Sequence, residues 1–192
     1  MPEAGLAHGS GDVSPWVRRW SHLVPAGATV LDVACGSGRH VRWFAGRGCR
    51  VTGVDRDTEA TAALAGVAEI VVADIEAGPW PFAGRRYDAV IVTNYLWRAL
   101  LPTIVASVAD GGVLLYETFA IGNETVGRPA NPKFLLQPGE LLAASRGLRV
   151  VAYEDGWLEA PPRYVQRVAA VRETAARGTP PRYPLRSPGD AG

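Results

Sequence analysis

The sequence predicts a single α/β domain built on a mostly parallel sheet with an antiparallel hairpin at one edge. Three observations predict it. Short apolar, β-branched runs alternate with helical stretches along most of the chain, and each parallel return needs such a crossover. The last two strand-like runs follow one another with no helix between them, which is the pattern of a hairpin. The chain has 192 residues, 47 % hydrophobic and 20 % charged, enough for one domain with a sizeable core and far from the composition of a disordered chain.

The elements follow in order. Ser14 caps a short helix with Pro15 at its first position, and Trp16, Trp20 and Leu23 fall on one face. ATVLDV (Ala28 to Val33) is a buried strand running into glycines, and Arg39 to Gly46 is helical. RVTGVD (Arg50 to Asp55) is the second strand, Thr58 to Leu64 the second crossover helix, EIVVAD (Glu69 to Asp74) the third strand and YDAVIVTN (Tyr87 to Asn94) the fourth. Between these last two, GPWPF (Gly78 to Phe82) reads as a loop. Leu96 to Ala109 is expected to be helical, GGVLLYETF (Gly111 to Phe119) is the fifth strand, and Gly139 to Ser145 is a short helix. LRVVAYED (Leu148 to Asp155) and YVQRVAAVR (Tyr164 to Arg172) form the hairpin. The domain is expected over 14–176, with a flexible start at 1–13 and a Pro/Arg-rich mobile tail at 177–192.

Charge and cysteine usage narrow the function classes. Twenty basic residues against 19 acidic ones give a net charge of +1, so no whole-molecule field gathers nucleic acid or an anionic membrane. A local excess of six Arg after Ala160 leaves RNA as a secondary possibility. All but one of the basic residues are Arg, the exception being Lys133, a skew that reads as base composition. Cys35 and Cys49 fit neither a redox pair nor a zinc quartet, which points to a reducing cytoplasm. No export or membrane segment is visible. His8, His22 and His40 form no ligand cluster with the cysteines, so no metal is expected. His40 itself reads as a cap or an exposed residue.

The chemistry concentrates in VLDVACGSGRH (Val30 to His40). Gly36 and Gly38 let backbone approach a ligand, and the following helix start offers free N–H groups. Asp55 ends the second strand, where a carboxylate can accept from both hydroxyls of a ribose, and Asp74 ends the third. Neighbouring strand ends in such a sheet share one crevice, so Asp32, Asp55 and Asp74 should line the same ligand. A nicotinamide dehydrogenase uses the same crevice, but its fingerprint needs a third small residue where this chain has Val41. Asp32 would also repel a pyrophosphate, whereas a ligand with an ammonium there would welcome it.

These residues resemble the class I S-adenosylmethionine-dependent methyltransferases over roughly Trp16 to Arg172. DVACGSG is similar to their first motif, with Ala34 where glycine is common, and the terminal hairpin sets them apart from dehydrogenases. Together with FAIGNETVGRPANPKFLLQPGEL, the motif looks like small bacterial stand-alone enzymes similar to the tellurite-resistance methyltransferases, although Glu154 to Arg163 lacks their His-containing segment. The resemblance implies a Rossmann-like, doubly wound sheet in the order 3-2-1-4-5-7-6 and S-adenosylmethionine as cofactor. It implies cofactor contacts from Asp32 (ammonium), Ala34, Gly36 and Gly38 (methionine part), Asp55 (ribose), Asp74 (adenine amine), Ile75 (adenine ring) and Asn94. A small-molecule methyl acceptor is the expected substrate. A cofactor-binding module without turnover, or an enzyme acting on RNA or protein, are the alternatives. Tyr95, following the fourth strand, is a candidate positioning or proton-accepting group. Glu117 to Leu136 is read as an aperiodic substrate loop in which Glu117 and Arg128 are the candidate catalytic groups. Arg128 binds an anion there or pairs with Glu124. Arg163 is a further candidate for the same pocket.

Overall fold

A computed structural model describes residues 11–174 and 181–185. The expected flexible start and mobile tail therefore lie, for 1–10, 177–180 and 186–192, outside the described residues. The chain begins with α1 (Pro15–Trp20), capped by the Ser14 hydroxyl, which accepts from the Trp16 and Val17 N–H groups. Crossovers then alternate: β1 (Thr29–Val33), α2 (Arg39–Gly46), β2 (Arg50–Asp55), α3 (Thr58–Ala62), β3 (Glu69–Val72), β4 (Tyr87–Thr93), α4 (Leu101–Ala106), β5 (Val108–Phe119), α5 (Glu140–Ala144), β6 (Arg149–Glu159) and β7 (Pro162–Val171).

Among the described residues, seven strands lie in the order β3-β2-β1-β4-β5-β7-β6. The first five pair in parallel and β7 pairs antiparallel with both β5 and β6, as expected. The switch point falls between β1 and β4, where the chain winds outward in opposite directions and a crevice opens at the carboxyl ends of the strands.

Strand alternation divides the core into two layers. Val30, Ala89, Ile91, Val113, Leu115 and Ala169 meet Trp16, Trp20 and Phe44 on one face. Leu31, Val33, Val90, Val92, Leu114 and Tyr116 meet Ile104 and Leu141 on the other. Trp16 and Trp20 are both fully buried, their rings 5.7 Å apart. Their burial makes α1 a core helix of the first layer.

Several boundaries differ from the sequence expectation. The helix expected over Leu96 to Ala109 reduces to a 3₁₀ turn at Arg98–Leu100 followed by α4. Pro102 suits only the first turn of a helix because it lacks an N–H, and beyond Ala106 the Ser107 carbonyl accepts from the Tyr87 N–H, which draws the chain into the sheet. β5 consequently starts at Val108, three residues early. The hairpin strands are longer than expected and approach each other at Glu159 opposite Pro162. Of the C-terminal residues, Tyr183 packs on the first core layer with the Arg149 guanidinium over its ring, and the Pro184 carbonyl lies 3.0 Å from His22 Nε2.

Candidate active site

The crevice begins where β1 gives way to its turn. Ala34 takes φ 55°, a left-handed conformation that an L-residue other than glycine rarely adopts, and Gly36 and Gly38 follow at 51° and 78°. This turn swings the Gly36 N–H toward β2, where Asp55 Oδ2 accepts it at 2.7 Å. Asp55 Oδ1 accepts from the Asp57 N–H at 2.9 Å, so the carboxylate is fixed at the lip with lone pairs left for a ligand. Gly38 serves packing as well as access: a Cβ there would run into the buried Leu64 side chain.

Asp32, the penultimate residue of β1, is 1 % exposed, and its Oδ2 has no hydrogen-bond partner among the described residues. Burial pushes its carboxyl up to about 8, with the Arg39 guanidinium opposing and the Asp55 charge adding to the rise. An orphaned buried carboxyl oxygen is costly, and a cationic ligand group beside it would remove the cost. Asp74 lies past the end of β3, exposed, and its Oδ1 accepts from the Glu76 and Ala77 N–H groups. Those two bonds hold its carboxyl below the ordinary value. Ile75 beside it is buried in the second core layer.

Asn94, the first residue after β4, also has φ 55°, and its N–H donates to the Glu117 carbonyl. Tyr95 follows, held through its carbonyl by the Tyr116 hydroxyl at 2.8 Å. Its own hydroxyl is buried, without a hydrogen-bond partner among the described residues. Burial, with the Glu76 and Asp74 carboxylates nearby, raises its pKa far above that of free tyrosine. Tyr95 therefore stays protonated at neutral pH and suits a hydrogen-bond donor rather than a base.

Glu117 is not in a loop. It is the tenth residue of β5, 1 % exposed, and faces the α1 layer. Ser14 Oγ donates to its Oε1 at 2.9 Å and Arg167 Nη1 to its Oε2 at 3.2 Å. Thr93, Glu117, Arg167 and Glu154 are successive register partners across β4, β5, β7 and β6, which makes a polar ladder on an otherwise apolar face. Thr93, Arg167 and Glu154 were missed by sequence reasoning. The signal was there: each interrupts an inward-facing row of Val, Ala, Ile and Leu. Arg39 joins the ladder by donating to Thr93 Oγ1 at 3.3 Å, and Arg163 approaches Glu117 at 3.9 Å.

Two other expectations are corrected. His40 is neither exposed nor a cap of its own helix: it is 2 % exposed, and its Nε2 accepts the Ser14 N–H at 3.2 Å. Burial drives its pKa down to about 3, with Arg39 contributing, so the ring is neutral and Nδ1–H faces Thr93 Oγ1 at 3.5 Å. Arg128 is exposed on the segment after β5, and Glu124 turns back to accept the Gly122 N–H; no ion pair joins the two among the described residues. That segment is fastened instead by Arg98, which donates to the Lys133 and Leu135 carbonyls and pairs with Glu140. Among the described residues, no group of three or more His, Cys, Asp or Glu could hold a metal ion, and no helix is long and apolar enough to cross a membrane.

Residues 30–112 match the family model of a methyltransferase domain, a span from β1 into β5 that contains Asp32, Asp55, Asp74 and Asn94. The strand order above is a Rossmann-like, doubly wound arrangement, a fold the chain shares with solved S-adenosylmethionine-dependent methyltransferase structures. Among solved structures it is similar to a TehB-like S-adenosylmethionine-dependent methyltransferase from Corynebacterium glutamicum (19 % identity over 85 % of this chain and 89 % of that one, TM-score 0.62). It is also similar to TehB from Haemophilus influenzae (20 % identity, 90 % of this chain and 64 % of that one, TM-score 0.65). A third similar structure is a coclaurine N-methyltransferase bound to N-methylheliamine and S-adenosylhomocysteine (18 % identity, 74 % and 49 %, TM-score 0.57). No curated protein matches the chain.

Proposed function

We propose that this chain transfers the methyl group of S-adenosylmethionine to a small-molecule acceptor. The observation that carries the reading is Asp32: a buried carboxylate with an unpartnered oxygen, at the switch point, beside a left-handed turn and one strand from Asp55. The residues present fit the cofactor. Asp32 takes its ammonium directly or through water, Ala34, Gly36 and Gly38 pass backbone along its methionine part, and Asp55 takes the ribose hydroxyls. Asp74 faces the adenine amine and Ile75 its ring, with Asn94 closing the crevice from β4. When bound, the cofactor supplies a methyl carbon on a sulfonium leaving group.

The protein's own work is then positional. Asn94 and Tyr95 fix the acceptor side of the crevice, and Tyr95 donates a hydrogen bond to the acceptor. Holding the reacting atoms in line and excluding water account for the rate in such a reaction. Glu117 acts through Ser14 and the arginines of the ladder, and Arg128, being exposed, reaches the acceptor only from the rim. A small-molecule acceptor also agrees with the small-molecule ligand of the coclaurine N-methyltransferase structure.

Calorimetry with S-adenosylhomocysteine tests the reading. Asp55→Ala should lose about ten- to a hundredfold in affinity, the value of charge-assisted hydrogen bonds of about 1.5–3 kcal/mol. Equal affinity for wild type and variant overturns the ribose role. Turnover is read separately, as conversion of S-adenosylmethionine to S-adenosylhomocysteine in the presence of candidate acceptors.

A further inference from the structure

The polar ladder is not balanced. Glu117 spends one oxygen on Ser14 and the other on Arg167. Arg167 in turn spends Nε and Nη2 on Glu154, which also takes Arg19. Two guanidinium groups remain undercompensated at the end of the ladder nearest Asn94. Among the described residues, Arg163 has only the 3.9 Å approach to Glu117, and its buried Nε has no hydrogen-bond partner. Among the same residues, Arg39 makes only long bonds, 3.3 Å to Thr93 Oγ1 and 3.5 Å to the Asp12 carbonyl.

Burial lowers the Arg39 pKa, with the Glu117 and Asp32 carboxylates opposing and the nearby Arg163 guanidinium adding to the fall. The other carboxylate near Arg39, Asp32, is committed to the cofactor ammonium in the reading above. A partly buried arginine whose donors lack acceptors carries an unrecovered desolvation penalty. The group that repays it is an anion, and a guanidinium fork fits a planar two-oxygen anion best.

We propose that Arg163 and Arg39 form an anion-binding subsite on the acceptor side of the crevice, and that the methyl acceptor carries a carboxylate held there. The proposal rests on the methyltransferase reading. Arg163 comes from the start of β7 and Arg39 from the first residue of α2, directly after Gly38 of the glycine turn, so the subsite adjoins that turn and reaches Thr93 at the end of β4. Glu117 and Ser14 are positioning residues, since they hold Arg167 and the α1 end against which Arg163 and Arg39 are set.

The experiment titrates wild-type protein, saturated with S-adenosylhomocysteine, with benzoate and acetate as probes and benzamide, acetamide and sulfate as comparators. The carboxylates should bind at least tenfold more tightly than their amides and more tightly than sulfate. Arg163→Met should lose that preference at least tenfold, Arg163→Lys should lose part of it, and both should keep S-adenosylhomocysteine affinity within about twofold, which also reports that they fold. Arg86→Gln, at the exposed ion pair with Asp110, should change nothing. Amides binding as well as carboxylates, sulfate binding as tightly as benzoate, or a carboxylate preference untouched by Arg163→Met each overturn the proposal. Failure of S-adenosylhomocysteine itself to bind overturns both readings, whereas its binding without any carboxylate binding overturns this one alone.

Discussion

With Asp32 receiving the cofactor's ammonium as proposed, its burial should make cofactor binding steeply pH-dependent. With its carboxyl near 8 in the free protein, about one molecule in a hundred is ionised there at pH 6 and about half at pH 8. The ligand's amino group must be protonated, and an α-amino group titrates at about 7.7–8.0. The product of the two fractions peaks near pH 8, rises about eightfold from pH 6 to pH 7 and is about twentyfold higher at pH 8 than at pH 6, a change of about 2 kcal/mol. Binding below pH 7 should therefore release close to one proton. Calorimetry with S-adenosylhomocysteine in buffers of different ionisation enthalpy measures both the affinity and the proton count. Asp32→Asn should bind more weakly at pH 8 and show a flat profile between pH 6 and 7. A wild-type affinity that is flat over pH 6–7.5, with no proton released, would refute the argument, because an Asp with the ordinary value near 3.8 is fully ionised throughout.

The same group governs the stability of the free protein. Its folded-state pKa lies above the unfolded value, so the unfolded chain gives up the proton first: stability is full below about pH 4 and falls as pH rises toward 8. Four units at 1.36 kcal/mol each set an upper bound of about 5 kcal/mol. Asp32→Asn should thus unfold at higher urea than wild type at pH 8.5 without cofactor, and the gap should close toward pH 5. Gly38→Ala places a Cβ into Leu64 at φ 78°; left-handed strain and overpacking together cost about 2–4 kcal/mol, read as a lower urea midpoint at unchanged slope. A loss under about 0.5 kcal/mol would mean that Leu64 yields freely.

Most of the sheet was legible because strand and helix periods differ and each crossover is short. The turn after β1 was readable from the glycines of DVACGSG, and the place of Asp55 from the end of a β-branched run. What sequence periodicity could not show was which face a polar residue occupies. Glu117 follows LLY and precedes TF, so the end of a strand and the beginning of a loop look alike until β7 supplies Arg167 as its register partner. His40 was misread for a similar reason: its surroundings are Ser14, 26 residues away, and Thr93, 53 away. Arg163 and Arg39 are 124 positions apart in number, and only closure of the hairpin onto β5 brings their charges together.

The turn after β1 contains a choice that can be reversed by one atom. Ala34 holds φ 55°, where an L-side chain costs about 1–2 kcal/mol, and the family resemblance puts glycine at that position. Asn94 repeats the conformation on the neighbouring strand, where a short polar side chain tolerates it better. Both strand ends at the switch point thus leave their strands through a left-handed residue. Ala34→Gly removes the local strain but gives the unfolded chain more freedom, at about 0.4–1 kcal/mol. The difference leaves a net gain of about 0–1.5 kcal/mol for the free protein. If the strained turn is imposed by Gly36 donating to Asp55 and by the sheet on either side, the variant keeps the same turn and S-adenosylhomocysteine affinity stays within about threefold. If instead the alanine methyl itself defines the turn, the variant loses stability by more than about 1 kcal/mol and affinity falls with it. Urea unfolding and calorimetry on the one variant separate the two, and only the first outcome is compatible with a crevice whose shape is set by Asp55 and the strand ends rather than by the side chain at position 34.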